Sequence, residues 1–275
     1  MGDVFSCCSD HRGYDYLEPG NANNLILRGV QDFEIDGAQQ MSSLSFKDKI
    51  KFKTVEQFED HYEIQSDLGE GSFGCVKVGK HRNTDMLCAV KIIDKEQVKL
   101  HEMYQQLNKN ELEILEVTQH PNITRIFELM EDDKNFYIVM ELVSGGNLFT
   151  KIRTLRRFTE QQAAQIIKQV LLALNFMHSK NIMHRDIKPE NILCESSEAT
   201  NDQIDVKLTD FGFATKYTPG VGETLVVGSP LYMAPELCQN AAYDSKVDIW
   251  AVGVITYILL SGKTPFQARG KNPTP

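Results

Sequence analysis

Residues 1 to about 55 show no sustained hydrophobic period and are rich in Gly, Asn, Asp and Ser, so they are expected to form a disordered tail. From Tyr62 the pattern changes. Asp67–Gly74 reads as a glycine-punctuated turn, and Cys75–Val78 and Leu87–Ile93 read as strands. Glu96–Val117 carries Leu107, Leu112 and Leu115 at helical spacing, and His120-Pro121-Asn122 breaks it. Ile123–Met130 and Asn135–Leu142 are two more strands around the polar turn Glu131–Lys134.

Beyond Ser144-Gly145-Gly146, a break fit for a hinge, the chain is mainly helical. Thr159 followed by Gln162 is a capping box that opens a helix running to Ser179. Short strands are expected at Ile192–Leu193 and Val206–Leu208, with a polar loop at Glu195–Asn201 between them. Lys246–Leu260 is almost wholly apolar, which predicts a helix buried on all sides. Strands with one helix, then helices with short strands, imply an α+β chain of two lobes with a cleft at their boundary.

Composition narrows the classes. With 29 Lys and Arg against 38 Asp and Glu the net charge is −9, which argues against nucleic-acid binding. The apolar run Ile249–Leu260 is too short to span a bilayer. Cys7, Cys8, Cys75, Cys88, Cys194 and Cys238 lack zinc-site spacing, and no secretory signal is evident, so a reducing, cytoplasmic setting is expected.

Four motifs carry chemistry. Gly69-Glu70-Gly71-Ser72-Phe73-Gly74-Cys75-Val76 has the spacing G-x-G-x-x-G-x-V; such glycines let backbone amides approach phosphate. A strand rather than a helix follows, which disfavours a dinucleotide turn and leaves a plain hairpin as the alternative. Lys91 sits inside an apolar strand and needs a partner, which Glu111 can supply. His184-Arg185-Asp186-Ile187-Lys188-Pro189-Glu190-Asn191 packs a proton acceptor (Asp186), a cation (Lys188) and an amide oxygen for a hard metal (Asn191) into one loop. Asp210-Phe211-Gly212 adds a second carboxylate for such a metal.

Together with Ala234-Pro235-Glu236 and Asp248-Ile249-Trp250-Ala251-Val252-Gly253, these motifs resemble the protein-kinase signature set in order and separation, over about residues 62–268. Lys188 in the catalytic loop resembles Ser/Thr kinases. The runs Phe158–Glu160, Ile166–Val170 and Leu259–Gly262 are similar to the calcium-dependent and calcium/calmodulin-dependent branch. The resemblance implies an N-lobe at 56–143, a C-lobe at 144–268 and a tail at 269–275. It implies ATP and Mg²⁺ as cofactors. Leu68, Gly69, Gly71, Gly74, Val76, Ala89 and Leu193 would surround the nucleotide, and Glu141 and Val143 would bond the adenine edge behind Met140. Lys91, held by Glu111, would orient the phosphates; Asn191 and Asp210 would hold the metal; Asp186 and Lys188 would act on the substrate hydroxyl and the γ-phosphate. The implied activity is phosphoryl transfer to a protein Ser/Thr hydroxyl, with an ATP-binding module without turnover as the alternative.

Four departures qualify the resemblance. No helix is legible after Leu260, so the C-lobe is expected to be incomplete, with Glu236 lacking an Arg partner and Val252, Ile255 and Leu259 short of apolar neighbours. Asn147 stands where the branch has a glutamate that meets the ribose. Arg185 could bind a phosphate on Thr218 or Thr224, but Leu225 occupies the position expected for that group. Finally, no Asp-x-Asp-x-Asp-Gly calcium loop occurs, which would put a calmodulin-like or EF-hand regulator outside this chain. At the N-terminus Met1-Gly2-Asp3-Val4-Phe5-Ser6-Cys7-Cys8 fits a myristoylation form, with Cys7 and Cys8 as palmitate candidates; peripheral membrane contact is the corresponding expectation.

Overall fold

The computed structural model describes residues 52–71, 74–96, 119–196 and 204–266. Gly2, Cys7, Cys8, Glu111 and all but the first residue of the helix expected at Glu96–Val117 lie outside the described residues.

The strands of the first lobe are β1 (Phe52–Thr54), β2 (Tyr62–Gly71), β3 (Gly74–His81), β4 (Leu87–Asp94), β5 (Ile126–Glu131) and β6 (Asn135–Glu141). They form one six-stranded sheet in the order β1-β5-β6-β4-β3-β2. The turn expected from Asp67 is instead the end of a long strand, bent by register shifts at Ile64/Asp67 and Asp67/Gly69. Gly74 has a steric reason to be glycine: a Cβ there would lie 2.0 Å from the Ile92 carbonyl oxygen on β4.

The tail boundary expected near residue 55 moves earlier. β1 pairs in parallel with β5, Phe52 opposite Leu129, and Val55 N donates to Glu131 O at 2.9 Å. The reason is packing. Val55 and Phe58 cover the outer face of the sheet, which presents Tyr62, Cys88, Val90, Met130, Tyr137 and Val139. The Phe58 ring stacks on Tyr137 at 4.0 Å and on Tyr62 at 5.1 Å.

The second lobe contains α1 (Leu148–Leu155), α2 (Glu160–Ser179), β7 (Ile182–Met183), β8 (Ile192–Cys194), β9 (Val206–Leu208), β10 (Thr215–Lys216), α3 (Pro235–Cys238) and α4 (Lys246–Ser261). The α2 capping box forms in both directions between Thr159 and Gln162. The buried face of α2 is Ala163, Ile166, Val170, Ala173, Leu174 and Met177, one stripe at helical spacing. β8 and β9 pair antiparallel, as the sequence implies.

The open face of α4 differs from the expected one. Val252, Ile255 and Leu259 are buried, because that side of the helix packs into the main core with α2. Ile249, Trp250, Tyr257 and Leu260 are exposed, so the helix is not buried all round among the described residues. Ile93, Ile126, Leu129 and Ile138 from the sheet join the same core as α2 and α4, so apolar packing runs beneath the cleft from one lobe to the other. No described helix is long and apolar enough to cross a membrane.

Phe58→Ala should lower unfolding free energy by about 3–5 kcal/mol, the usual range for emptying a buried aromatic site, read as a shifted denaturant midpoint.

Candidate active site

The site begins with a carboxylate in an apolar helix. Asp248, 1% exposed in α4, accepts from His184 N at 3.0 Å and from Arg185 N at 2.8 Å. His178 on α2 places its Nε2 at 2.8 Å from the same carboxylate. These bonds satisfy the buried acid and hold the chain leaving β7 in a costly conformation: Arg185 has φ +67°, in the left-handed region that side chains disfavour. Asp210 is similar at φ +59°. The His184 ring joins the two strained loops. Its Nδ1 accepts from Asp186 N at 3.3 Å, so the proton lies on Nε2 and is donated to Thr209 O at 3.2 Å.

Asp186 is thereby set in the cleft with every carboxylate oxygen engaged. Oδ1 accepts from Ser229 Oγ at 2.8 Å. Oδ2 lies 2.7 Å from Lys188 Nζ and accepts from Asn191 Nδ2 at 3.0 Å. Lys188 Nζ also donates to Ser229 Oγ at 3.1 Å. Burial works against the Lys188 ammonium, but the Asp186 carboxylate, with Glu190 and Asp210 behind it, holds its pKa above the ordinary lysine value. The structure thus brings together Asp186, Lys188 and Asn191, as the sequence implies.

Across the cleft, Lys91 Nζ bonds Asp210 Oδ1 at 3.0 Å, with side chains 4% and 13% exposed. The expected partner Glu111 lies outside the described residues. Cross-strand register sets Val76 opposite Lys91, Val78 opposite Ala89, and Ala89 opposite Met140, so these side chains share the cleft face. Gly69, Gly71 and Gly74 lie on the β2–β3 hairpin beside it, and Leu68 is exposed. Leu193 lies on β8 and forms an isolated antiparallel bridge with Asn147.

At the hinge, Glu141 N donates to Arg125 O at 2.9 Å. The Glu141 N–H is therefore spent within the protein and is not a donor for a bound base. The Glu141 side chain accepts from Arg125 N at 2.7 Å and from Lys207 Nζ at 3.1 Å. Asn147, which stands where the branch has a glutamate, caps α1: its Oδ1 accepts from Thr150 N at 2.9 Å.

Among the described residues, no cluster of three His, Cys, Asp or Glu side chains could hold a metal by itself. The fit is to a hard cation that takes only part of its shell from protein and the rest from phosphate oxygens and water. Asp210 supplies a carboxylate, and Asn191, whose Nδ2 is spent on Asp186, has its amide oxygen to offer.

Arg185 is 6% exposed and donates from Nε to Phe213 O at 2.7 Å and from Nη1 to Tyr243 Oη at 3.1 Å. Thr218 and Thr224 are exposed. The sequence missed His178 and Tyr243, which carry no motif of their own. Asp248 was legible only as part of a matching run. Its signal was there: a lone acid among apolar residues in a helix requires buried donors.

Glu190 has a buried carboxylate oxygen with no hydrogen-bond partner among the described residues, and burial raises its pKa. A raised pKa means that the folded state holds the proton more tightly than the unfolded chain. Stability from Glu190 is therefore full at low pH and lost as pH rises through the raised value. Glu190→Gln should then gain stability over the parent as pH rises from 4 to 8, on about that ordinary-carboxylate scale, seen as a widening gap between thermal melts; a constant gap would contradict the buried-charge account.

The family described as protein kinase domain matches residues 62–274. Among curated relatives, "Probable serine/threonine-protein kinase fhkD" of Dictyostelium discoideum is 38% identical over 265 residues, which is 90% of this chain and 35% of the relative. "Myosin light chain kinase A" of the same organism is 40% identical over 214 residues, 76% of this chain and 70% of the relative. "Calcium-dependent protein kinase 5" of Plasmodium falciparum (isolate 3D7) is 43% identical over 218 residues, 79% of this chain and 37% of the relative. The chain thus spans little more than a third of the length of the first and third of these.

Proposed function

The chain belongs to the protein kinase domain family, and on that footing we propose that it transfers the γ-phosphate of ATP to a Ser or Thr hydroxyl of a protein substrate. The observation that carries this reading is the convergence of Lys188 Nζ, Ser229 Oγ and Asn191 Nδ2 on the Asp186 carboxylate, facing the Lys91–Asp210 pair. Asp186 is placed to accept the hydroxyl proton, since three donors fix its orientation. Lys188 can turn from Asp186 toward the transferred group and spread its charge. Lys91 can exchange Asp210 for nucleotide phosphates. Mg²⁺, held by Asp210 and Asn191, would supply charge neutralisation at the phosphate oxygens.

Lys188 supports a Ser/Thr rather than a Tyr substrate, as do the relatives' descriptions. A relative named as a calcium-dependent kinase supports a place in calcium-linked signalling, with the calcium sensor on another polypeptide segment or protein. The orphaned Glu190 oxygen supports a basic residue near the substrate hydroxyl. One observation favours a second reading, a nucleotide-binding docking module without turnover: the exposed row Ile249, Trp250, Tyr257 and Leu260 on α4.

The deciding assay is Mg²⁺-dependent transfer of labelled phosphate from ATP to a Ser/Thr peptide. Lys91→Met and Asp210→Ala should each lower kcat by about 10²–10³-fold or more. A folded wild type that binds Mg·ATP without transfer would establish the module reading instead; full activity in Asp210→Ala would remove the metal assignment.

The sequence form at Gly2, Cys7 and Cys8 supports a peripheral membrane pool held by acylation. In cells, Gly2→Ala should move the protein from the membrane to the soluble fraction. A wild type that is already soluble would count against acylation.

A further inference from the structure

The segment between Asp210-Phe211-Gly212 and Ala234-Pro235-Glu236 is held at two points by one guanidinium, once directly and once through a tyrosine. Arg185 Nε holds its start through Phe213 O at 2.7 Å. Arg185 Nη1 reaches its far part through a relay: it donates to Tyr243 Oη at 3.1 Å, and Tyr243 Oη donates to Leu225 O at 2.6 Å. Burial raises the Tyr243 pKa, so the hydroxyl keeps the proton it gives to Leu225.

Tyr243 also grips the segment by its backbone. Tyr243 N donates to Glu223 O at 2.9 Å, and Glu223 N to Tyr243 O at 2.8 Å. From Leu225 the chain passes Gly228, where φ is +107° and a Cβ would lie 2.4 Å from Arg185 O. It then reaches Ser229, whose hydroxyl bonds Asp186. The path from Tyr243 to the proton acceptor is thus held at Leu225 and again at Ser229. Two nitrogens of the Arg185 guanidinium are thus engaged by Phe213 O and Tyr243 Oη. Arg185 and Tyr243 are 6% and 3% exposed, whereas Thr218 and Thr224 face solvent.

We propose that Tyr243 is a positioning residue, whose hydroxyl holds Glu223–Ser229 in its working form at Arg185 in place of a phosphate on the segment. The role rests on the kinase reading above. A neutral hydroxyl suffices because it bonds donor and acceptor at once, and because its bond from Arg185 is buried, where an unmade one is costly.

The test compares the full chain with Tyr243→Phe, which keeps the ring and removes only the relay oxygen. Amide hydrogen exchange at 223–229 should quicken about tenfold in the variant, with protection in α2 unchanged. The peptide kcat/KM should fall about tenfold while the KM for ATP holds. Arg185→Gln tests the other end without touching the core ring, and its effect should be non-additive with Tyr243→Phe. Unchanged exchange at 223–229 in Tyr243→Phe overturns the proposal, as does additivity of the two changes. So does loss of wild-type activity on phosphatase treatment, with the phosphate mapped to 213–229. If the wild type transfers no phosphate, the kinase reading fails by itself, and the exchange measurement still decides the role of Tyr243.

Discussion

Asp248 makes the bond pattern on which the rest of the site depends. Its carboxylate accepts the backbone N–H groups of His184 and Arg185 and lies against the His178 ring, inside a largely apolar helix. Removing it would strand buried donors, at about 1–3 kcal/mol each. It would also release Arg185 from a left-handed conformation that nothing local favours. Asp186 follows Arg185 directly, so its position is inherited from this clamp. α4 has to be buried and rigid for the clamp to hold, which is why a long apolar helix lies beneath a polar site.

The site is organised as balanced charge. Asp186 is matched by Lys188, and Asp210 by Lys91 from the other lobe. Each anion that would otherwise repel a polyphosphate is already covered by a cation that can turn toward one. The pairs are buried, so the cost of leaving either member alone is high, and each favours exchange of partners over separation. Lys207 adds a related tie behind the hinge, joining Glu141 to the strand that pairs with Leu193. Backbone geometry, apolar packing and charge therefore converge on one cleft.

Much of the fold was legible. Thr159 and Gln162 marked the start of α2 because a capping box is a local device, complete within one turn. The strands β4 and β6 were legible because burial on both faces writes continuous apolar runs. α1 was not read, since its cap, Asn147, hides behind a glycine pair that looks like a plain break. β1 was not read either. Its three residues have no periodic signature, and a parallel edge partner more than seventy residues away holds them.

The sequence by itself determined the inventory: Lys91, Asp186, Lys188, Asn191 and Asp210 in an order and spacing that few chemistries share, and the two-lobed frame that carries them. Only the tertiary structure decided who bonds whom. It gave Asn147 to a helix cap, Arg185 to a tyrosine hydroxyl and the buried face of α4 to Val252, Ile255 and Leu259. The physical reason is range. Caps, turns and periodicity act within a few residues and leave a mark in the chain. A buried polar group takes whichever donor or acceptor the packing brings within about 3 Å, and that choice is made across the whole molecule.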